Sequence, residues 1–584
     1  MTGRILMGLH FIFGAAGTGK TRRCCEEIRD YVTGKKGRSA FFLVPDQETY
    51  TAERMLADIF PGHGFIDATV CGFSRLAYRV FNELRSPVQD ALSPLGQQII
   101  ISRILAEHRD ELQMLMKISS QPHFAENLMN LFHQLDMFCI SETALHDVSL
   151  AEEGTPLGRK LADLSLLYKN YHDYLHTRFS YEGSLFDLLA GEIPKSEILR
   201  RSRIWIDGFN GMTPQKIRIV SALIHTAEEV TFTLPLPDAK EGLSNEIFAR
   251  PANLYALLSE EEPHFDSITL PEMKRFRCPR LRCLAADYFQ NVPSPCPLPK
   301  ETSPVPEKGI HIVSAPDSQA EADFISRRIL SLVRDKNLRW RDILVLLRSA
   351  DTYTDPLERS FSRYGIPVFT DEKQPMNNHP LVMLLDGLLH FIKAESRGKN
   401  RGFTREHIFR ILKTEIFPSF PTDMIDKLEN YVLKYHIRFS TWQKPWAFRD
   451  YRSIDQEPAP LSDKEITKQN TANTWREKVL SLLNPFLAGW KGSPAAEDKC
   501  AFLYRWLTEQ QIPETLSVWD ELEFEKTKKR PHLQVWKKVL SLLDEIVHVT
   551  GKDILPEEEL CGILADGLSA LTFSMIPPTL DPVT

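Results

Sequence analysis

The stretch LHFIFGAAGTGKT, residues 9–21, joins an apolar run from Leu9 to Phe13 to a glycine-rich turn, and a helical stretch starts at Gly19. The turn fits G-x-x-x-x-G-K-[ST] in full, from Gly14 to Thr21. Glycines at 14, 17 and 19 let the backbone curl so that several N–H groups converge on phosphate oxygens. The helix start adds positive potential. Lys20 is placed to reach the β/γ-phosphates of ATP, and the Thr21 hydroxyl to hold Mg²⁺. The alternative is a chance glycine-rich turn, and the strand before it and helix after it count against that.

Working outward, four more short apolar runs follow: Ala40 to Val44, Ala68 to Cys71, Ile204 to Ile206 and Val230 to Leu234. Fully apolar strands separated by helices predict an α/β fold with a buried parallel sheet. About 120 residues of helical periodicity separate the third and fourth runs, beginning at Ser93-Pro94, a capping hydroxyl followed by proline. Leu128, Leu131, Leu135 and Phe138 recur at helical spacing within it. Residues 292–306 hold six prolines, a stiff segment that marks a domain boundary. A second α/β unit is expected beyond it. Strand Ile310–Val313 leads to a capping box at Ser318–Glu321 and a helix with Ala322, Ile325, Ile329 and Leu332 on one face; a buried strand, Ile343–Leu347, ends at Arg348. From about 396 to 570 the pattern is helical and tryptophan-rich, and the polar stretch Ser453–Asn470 reads as a surface loop.

A phosphate-loop site needs an acid at the end of a nearby strand, and Ile204-Trp-Ile-Asp207 supplies one for Mg²⁺. Efficient helicase-type ATPases place a glutamate next, which orients and deprotonates the attacking water. Here that position is Gly208. ATP binding with weak turnover is therefore expected, unless an acid arrives from elsewhere, such as Glu48. Arg348 is a candidate γ-phosphate contact, with a plain surface or strand-end arginine as the alternative. Lys20 and Asp207 are almost 190 residues apart, wider than in simple nucleotide kinases and suited to a superfamily-1 helicase with its helical insertion.

Ligands of a parallel sheet bind at the strand C-terminal ends. Pro45–Tyr50 offers amide, hydroxyl and aromatic groups in Gln47, Thr49 and Tyr50. Gly72–Tyr78 offers Phe73, Arg75 and Tyr78, and Phe209 follows Asp207-Gly208. Aromatics that stack on bases and cations along a backbone suit single-stranded DNA. The alternative puts Phe73 and Tyr78 in the core and makes Gln47 a helix cap.

Composition bounds this reading. The 584 residues, 42% hydrophobic and 26% charged, suit about four soluble globular domains. A net charge of −7 excludes a chain that is basic throughout, though a local basic groove suffices for DNA. No apolar run approaches the ~18 residues of a membrane span. No leader segment is apparent, and adjacent Cys24 and Cys25 suit a reduced compartment, so the expected location is cytoplasmic. Cys278, Cys283 and Cys296 cluster loosely without a CxxC pair, which favours buried or loop thiols over zinc ligands.

The sequence resembles the AddB family, the B subunit of bacterial ATP-dependent helicase/deoxyribonucleases of the AddAB type. The segments that carry the resemblance are FIFGAAGTGKT (11–21), FFLVPDQETY (41–50), GFSRLAYRVF (72–81), WIDGFNGMTPQ (205–215), DILVLLR (342–348), GIPVFTDEK (365–373), NHPLV (378–382), KTEIFPSF (413–420), LENYVLKYHI (428–437) and LTFSMIPPTLDPV (571–583). The resemblance implies two RecA-like, superfamily-1 helicase-like domains, each with a helical insertion, the second incomplete. Domain 1 then spans 1–85 and 201–290 around an insertion at 86–200. A linker covers 291–308. Domain 2 begins at 309–395, carries an insertion at 396–570 and is re-entered at 571–584. An AddA-like helicase–nuclease subunit would be the motor. This half would grip single-stranded DNA, at hotspot sequences, during recombinational repair of broken double-stranded DNA. Gln47, Thr49, Phe73, Arg75, Tyr78 and Phe209 are carried over as the DNA path. Gly14, Gly17, Gly19, Lys20, Thr21, Asp207 and Arg348 are carried over as nucleotide positions. Family members continue into a nuclease domain and carry four iron–sulfur cysteines. This chain stops at Thr584, and its nine cysteines do not match that spacing, so neither nuclease residues nor an iron–sulfur cluster is expected. A truncated gene product or a partial sequence is the expectation, with an unfinished sheet edge prone to aggregation. The rival readings are an active DNA-dependent ATPase or translocase, and a phosphoryl-transfer enzyme with a small substrate.

Overall fold

A computed structural model describes residues 8–573 except 35–38, 61, 63, 87–91, 120, 122–123, 180–184, 238–245, 277, 289–309, 369–373, 449–461 and 528–529. The chain divides into two compact units, one of residues 1–91 and 130–313, the other of residues 92–129 and 314–584. The proline-rich boundary at 292–306 and the segment 574–584 lie outside the described residues.

In the first unit six strands run parallel: β1 (Gly8–Phe13), β2 (Ser39–Leu43), β3 (Ala68–Cys71), β4 (Ser202–Ile206), β5 (Glu229–Leu234) and β6 (Phe265–Thr269), in the order β3-β2-β4-β5-β1-β6. Alternation within each apolar strand feeds two cores. Phe11, Phe13, Phe41, Leu43, Ile204, Ile206 and Phe232 point to one face, where helices Phe73–Leu84 and Pro214–Thr226 cover them. Ile12, Ala40, Phe42, Val70 and Trp205 point to the other, under helices Lys20–Gly34 and Thr49–Ile59. The five expected strands form within a residue or two of their expected bounds. β6 was not foreseen: its FDSIT sequence alternates with polar residues, and it lies exposed at the sheet edge beside β1. Because all strands are parallel, the loops after β1, β2, β3, β4 and β5 share one edge. Cys24 and Cys25 are free and buried, and burial pushes the Cys25 thiol up to about 12. Cys283 is disulfide-bonded, against the expectation of a thiol, and Cys296 lies outside the described residues.

The region between β3 and β4 is helical, as expected. Its helix Pro94–Glu107 belongs to the second unit. The Ser93 hydroxyl accepts from the N–H groups of Leu95 and Gly96 at 3.1 and 3.2 Å, with Pro94 at the first helical position. This helix packs on helices Pro531–Thr550 and Glu557–Ser569. Helices Ser318–Lys336 and Ala350–Tyr364 pair through Ala322, Ile329, Leu357 and Phe361.

Three local expectations are corrected in this part of the chain. The runs Ile310–Val313 and Ile343–Leu347 join no sheet among the described residues, and Ile312, Leu344 and Leu346 are 96%, 63% and 83% exposed. An apolar run becomes a strand only where neighbours complete its hydrogen bonds. The sheet found in the second unit is a two-stranded antiparallel pair, β7 (Gln374–Pro375) with β8 (Thr572–Phe573). The polar stretch 453–470 is helical from Asp463, where Ser462 and Glu465 form a capping box, while 453–461 lie outside the described residues. The cap at 318–321 is Asp317, whose carboxylate accepts from Ala320 N–H at 2.7 Å. Among the described residues no helix is long and apolar enough to cross a membrane.

Candidate functional site

The loop after β1 is the candidate phosphate cradle. Gly17 and Gly19 have φ of 91° and 95°, a left-handed backbone that glycine adopts without strain. Lys20 opens the following helix, and its Nζ donates to the carbonyls of Gly14 and Ala15 at 2.8 and 3.1 Å. Burial holds the Lys20 ammonium below its ordinary value; Asp207 opposes that shift and Arg275 adds to it. Thr21 Oγ1 donates to Asp207 Oδ2 at 2.6 Å, although Thr21 lies in the helix after β1 and Asp207 just after β4, far apart in sequence. Asp207 is 5% exposed, and its other oxygen accepts from the Thr233 hydroxyl. Thr233 is near the end of β5, the strand that separates β1 from β4. A hydroxyl and a carboxylate oxygen side by side match the hard-oxygen preference of Mg²⁺, which takes most remaining positions from phosphate and water.

These groups face a cavity of about 420 Å³. Two of its cations escaped the sequence reading. Lys274 and Arg275 line it, and their backbone N–H groups both donate to Gly17 O, at 2.9 and 3.0 Å. The segment after β6 thus straps the cradle. Only the addition of β6 beside β1 brings it there, so failing to foresee β6 hid the strap. Thr233 was missed for a simpler reason: threonine in a buried strand carries no distinctive signal.

Gly208 follows Asp207 with φ of 85°. A Cβ at this position would lie 2.8 Å from Glu48 Oε2 and 2.9 Å from Pro45 Cδ. Glu48 therefore fills the side-chain space that position 208 leaves vacant, and it lines the same cavity. Loss of solvent around it, and then the Asp207 charge, push the Glu48 carboxyl above the usual range. On the other side of the same turn, the Asp46 carboxylate sits against Gly72, where any Cβ would overlap it. The Asp46–Glu48 turn is thus wedged between two glycines, one after β3 and one after β4.

Of the DNA candidates, Gln47 is exposed, Tyr78 is 47% exposed and the Arg75 side chain is 70% exposed, 3.7 Å from Glu53. The Thr49 hydroxyl donates to Asp46 O at 2.9 Å. Phe209 lines the cavity. Phe73 is corrected: at 3% exposure it belongs to the core. It starts a helix whose Phe73, Leu76, Ala77, Val80 and Phe81 form one buried face, and Phe209 packs on its ring at 5.5 Å.

Comparison with known proteins bears on the whole chain. The family model for the N-terminal region of AddB matches residues 11–284. The B subunit of the ATP-dependent helicase/deoxyribonuclease of Heliobacterium modesticaldum is 33% identical over 99% of this chain and 48% of its own length. The proteins of the same name from Pelotomaculum thermopropionicum and Geobacillus kaustophilus are 33% and 32% identical over 99% of the chain and 50% and 51% of their own lengths. The chain is similar to the AddB family, through the family model at its N-terminal part and through these B subunits along nearly its whole length. It spans about half the length of the curated relatives it matches. The AddB model covers the whole phosphate cradle, Glu48, Asp207 and the strap at 274–275. Arg348 lies outside that span, exposed in the second unit.

Proposed function

We propose that the cradle binds ATP with Mg²⁺ and that the adjoining sheet edge holds single-stranded DNA, with weak turnover of the nucleotide. The observation that carries this reading is the Thr21–Asp207 hydrogen bond beside Lys20 in a 420 Å³ cavity, with glycine at 208. Lys20, Lys274 and Arg275 supply positive charge for the phosphates, and the glycine-rich loop at 14–19 with the helix start supplies backbone N–H donors. Thr21 and Asp207 would hold Mg²⁺, which supplies charge neutralisation at the β- and γ-phosphates. Gln47, Thr49, Arg75, Tyr78 and Phe209 would touch the DNA strand. Their loops follow neighbouring strands β2, β3 and β4, a contiguous stretch of the edge.

In the cell, this AddB-family chain would act with an AddA-like helicase–nuclease subunit on broken double-stranded DNA in recombinational repair. It would contribute to hotspot recognition and reside in the cytoplasm. The names of its relatives, which describe one subunit of a larger enzyme, support a partnered role.

Two measurements test the reading. A fluorescent ATP analogue should bind with Mg²⁺, while phosphate release stays far below that of active helicases with or without single-stranded DNA. Filter binding of single-stranded oligonucleotides should weaken linearly on a log–log salt scale. Brisk DNA-stimulated release, abolished by Lys20→Ala, overturns weak turnover and favours the second reading, an active DNA-dependent ATPase. One observation leans toward that second reading: the Glu48 carboxylate in the cavity.

A further inference from the structure

We propose that Glu48, from the turn after β2, is the group that activates the attacking water in this cavity, in place of a side chain at position 208. The inference rests on the nucleotide-binding reading and extends it to the chemistry of turnover.

Three observations carry it. First, the side-chain space at 208 is already occupied: the Cβ position lies 2.8 Å from Glu48 Oε2. A carboxylate therefore stands beside Asp207 although the sequence after Asp207 offers none. Second, Gly208 is left-handed, with φ of 85°, and Pro45 closes the same space at 2.9 Å. A glutamate at 208 would be strained and would collide with Pro45 and Glu48. Glycine at 208 is what admits Glu48, so the two residues form one arrangement. Third, Glu48 shares the cavity with Lys20, Thr21, Asp207, Lys274 and Arg275, the groups placed to hold the nucleotide.

The step is ordinary hydrolysis. A water oxygen bonds to the γ-phosphorus, and its proton passes to a Glu48 oxygen. The bond from the γ-phosphorus to the β,γ-bridging oxygen breaks, and its electron pair stays on the β-phosphate. Glu48 then returns the proton to solvent, leaving ADP and phosphate. Weak turnover follows from how the base is held. Among the described residues the Glu48 carboxylate accepts no hydrogen bond, and it rides on a three-residue 3-10 turn rather than at a strand end. An unanchored base spends less time in the reactive geometry. The same turn carries Gln47 and precedes Thr49, so a strand bound there would bear directly on the base.

The test uses the purified chain and its Glu48→Gln, Glu48→Asp and Gly208→Glu variants. Affinity for a fluorescent ATP analogue is measured with Mg²⁺ and with chelator, and hydrolysis of bound ATP is measured in single turnover. Glu48→Gln should keep affinity within about twofold and lower the single-turnover rate at least tenfold, in line with the ~10²–10⁴ typical of a lost base. Glu48→Asp, which keeps the charge on a shorter arm, should lie between. Gly208→Glu should fall below wild type rather than rise. An unchanged rate in Glu48→Gln with binding intact overturns the assignment alone. A wild-type chain that binds the analogue but shows no turnover above buffer overturns it too. Failure of the wild-type chain to bind the analogue overturns the nucleotide reading and this assignment together.

Discussion

The runs Ala40–Val44 and Ile343–Leu347 look alike in sequence, each a short apolar segment ending at a polar loop, and they meet opposite fates. Phe41, Phe42 and Leu43 are at most 1% exposed at the heart of a parallel sheet, and the loop after them enters the cavity lined by Lys20 and Asp207. Leu344 and Leu346 are 63% and 83% exposed, and Arg348 after them faces solvent in its unit. Apolar composition is therefore necessary for a central strand but not sufficient. β2 has partners on both sides, in register with β3 from Ala40 to Leu43 and with β4 from Ser39 to Leu43. No ladder joins Ile343–Leu347 among the described residues. Pairing creates burial, and burial at the C-terminal edge creates a site.

The largest effect that tests this comparison is in β2. Phe42→Ala should cost about 3–5 kcal/mol of stability, the range for a fully buried phenylalanine in a close-packed core. Urea unfolding followed by circular dichroism measures it. A cost under 1 kcal/mol would mean that β2 is no better packed than 343–347, and the contrast would collapse.

Lys20→Ala asks whether the sheet edge is a working site. Hydrogen bonds to charged groups are worth about 1.5–3 kcal/mol, so ATP affinity should fall roughly tenfold to 150-fold. The urea midpoint should stay near that of wild type, because the Lys20 ammonium bonds only to loop carbonyls. Equal affinity in the variant would show that the cradle holds no phosphate.

Much of the first unit was legible because its signals are local. The glycine-rich loop, the apolar strands and Asp207 each sit in a short window, and the structure brings Gly14, Lys20, Thr21 and Asp207 together. What the sequence hid depends on contacts between distant segments. β6 is polar enough to read as loop, so the strap of Lys274 and Arg275 went unseen. Glu48 was recognisable as an acid, but only the closeness of Gly208 makes it a neighbour of Asp207. Phe73 fails in the other direction. Its place in an aromatic–cation loop suggested stacking on bases, whereas the helical spacing of Phe73, Leu76, Ala77 and Val80 buries it.

The second unit, held mainly by helix packing, buries His379, whose titration tests where the unit's stability lies. His379 Nε2 and His532 Nδ1 are 2.9 Å apart, and Asp520 accepts the backbone N–H groups of His532 and Leu533. Burial, then the neighbouring His532, lowers His379 from 6.5 to about 4, with Asp520 pulling the other way. Between those values the unfolded chain binds a proton that the folded chain does not. Stability is thus full above about pH 6.5 and falls as pH drops toward 4. The loss should be on the order of 1–2 kcal/mol after allowing for partial solvent screening. His379→Gln should flatten that part of the pH profile. An unchanged slope would place the unit's acid sensitivity elsewhere.

The smallest effect is the most discriminating. Leu346 is 83% exposed, so removing most of its side chain takes little apolar area out of contact with protein. Leu346→Ser should change stability by no more than about 0.5 kcal/mol, the range for surface positions away from special features. It should also lower the tendency to associate, because Leu344, Leu346 and Leu347 make an exposed apolar row with Ile343 and Val345 half-buried beside it. Light scattering across a concentration series reads the second effect, and urea unfolding reads the first. A loss of 2 kcal/mol or more at Leu346 would mean that the run is buried in solution after all. The two apolar segments would then differ in their partners rather than in whether they have any.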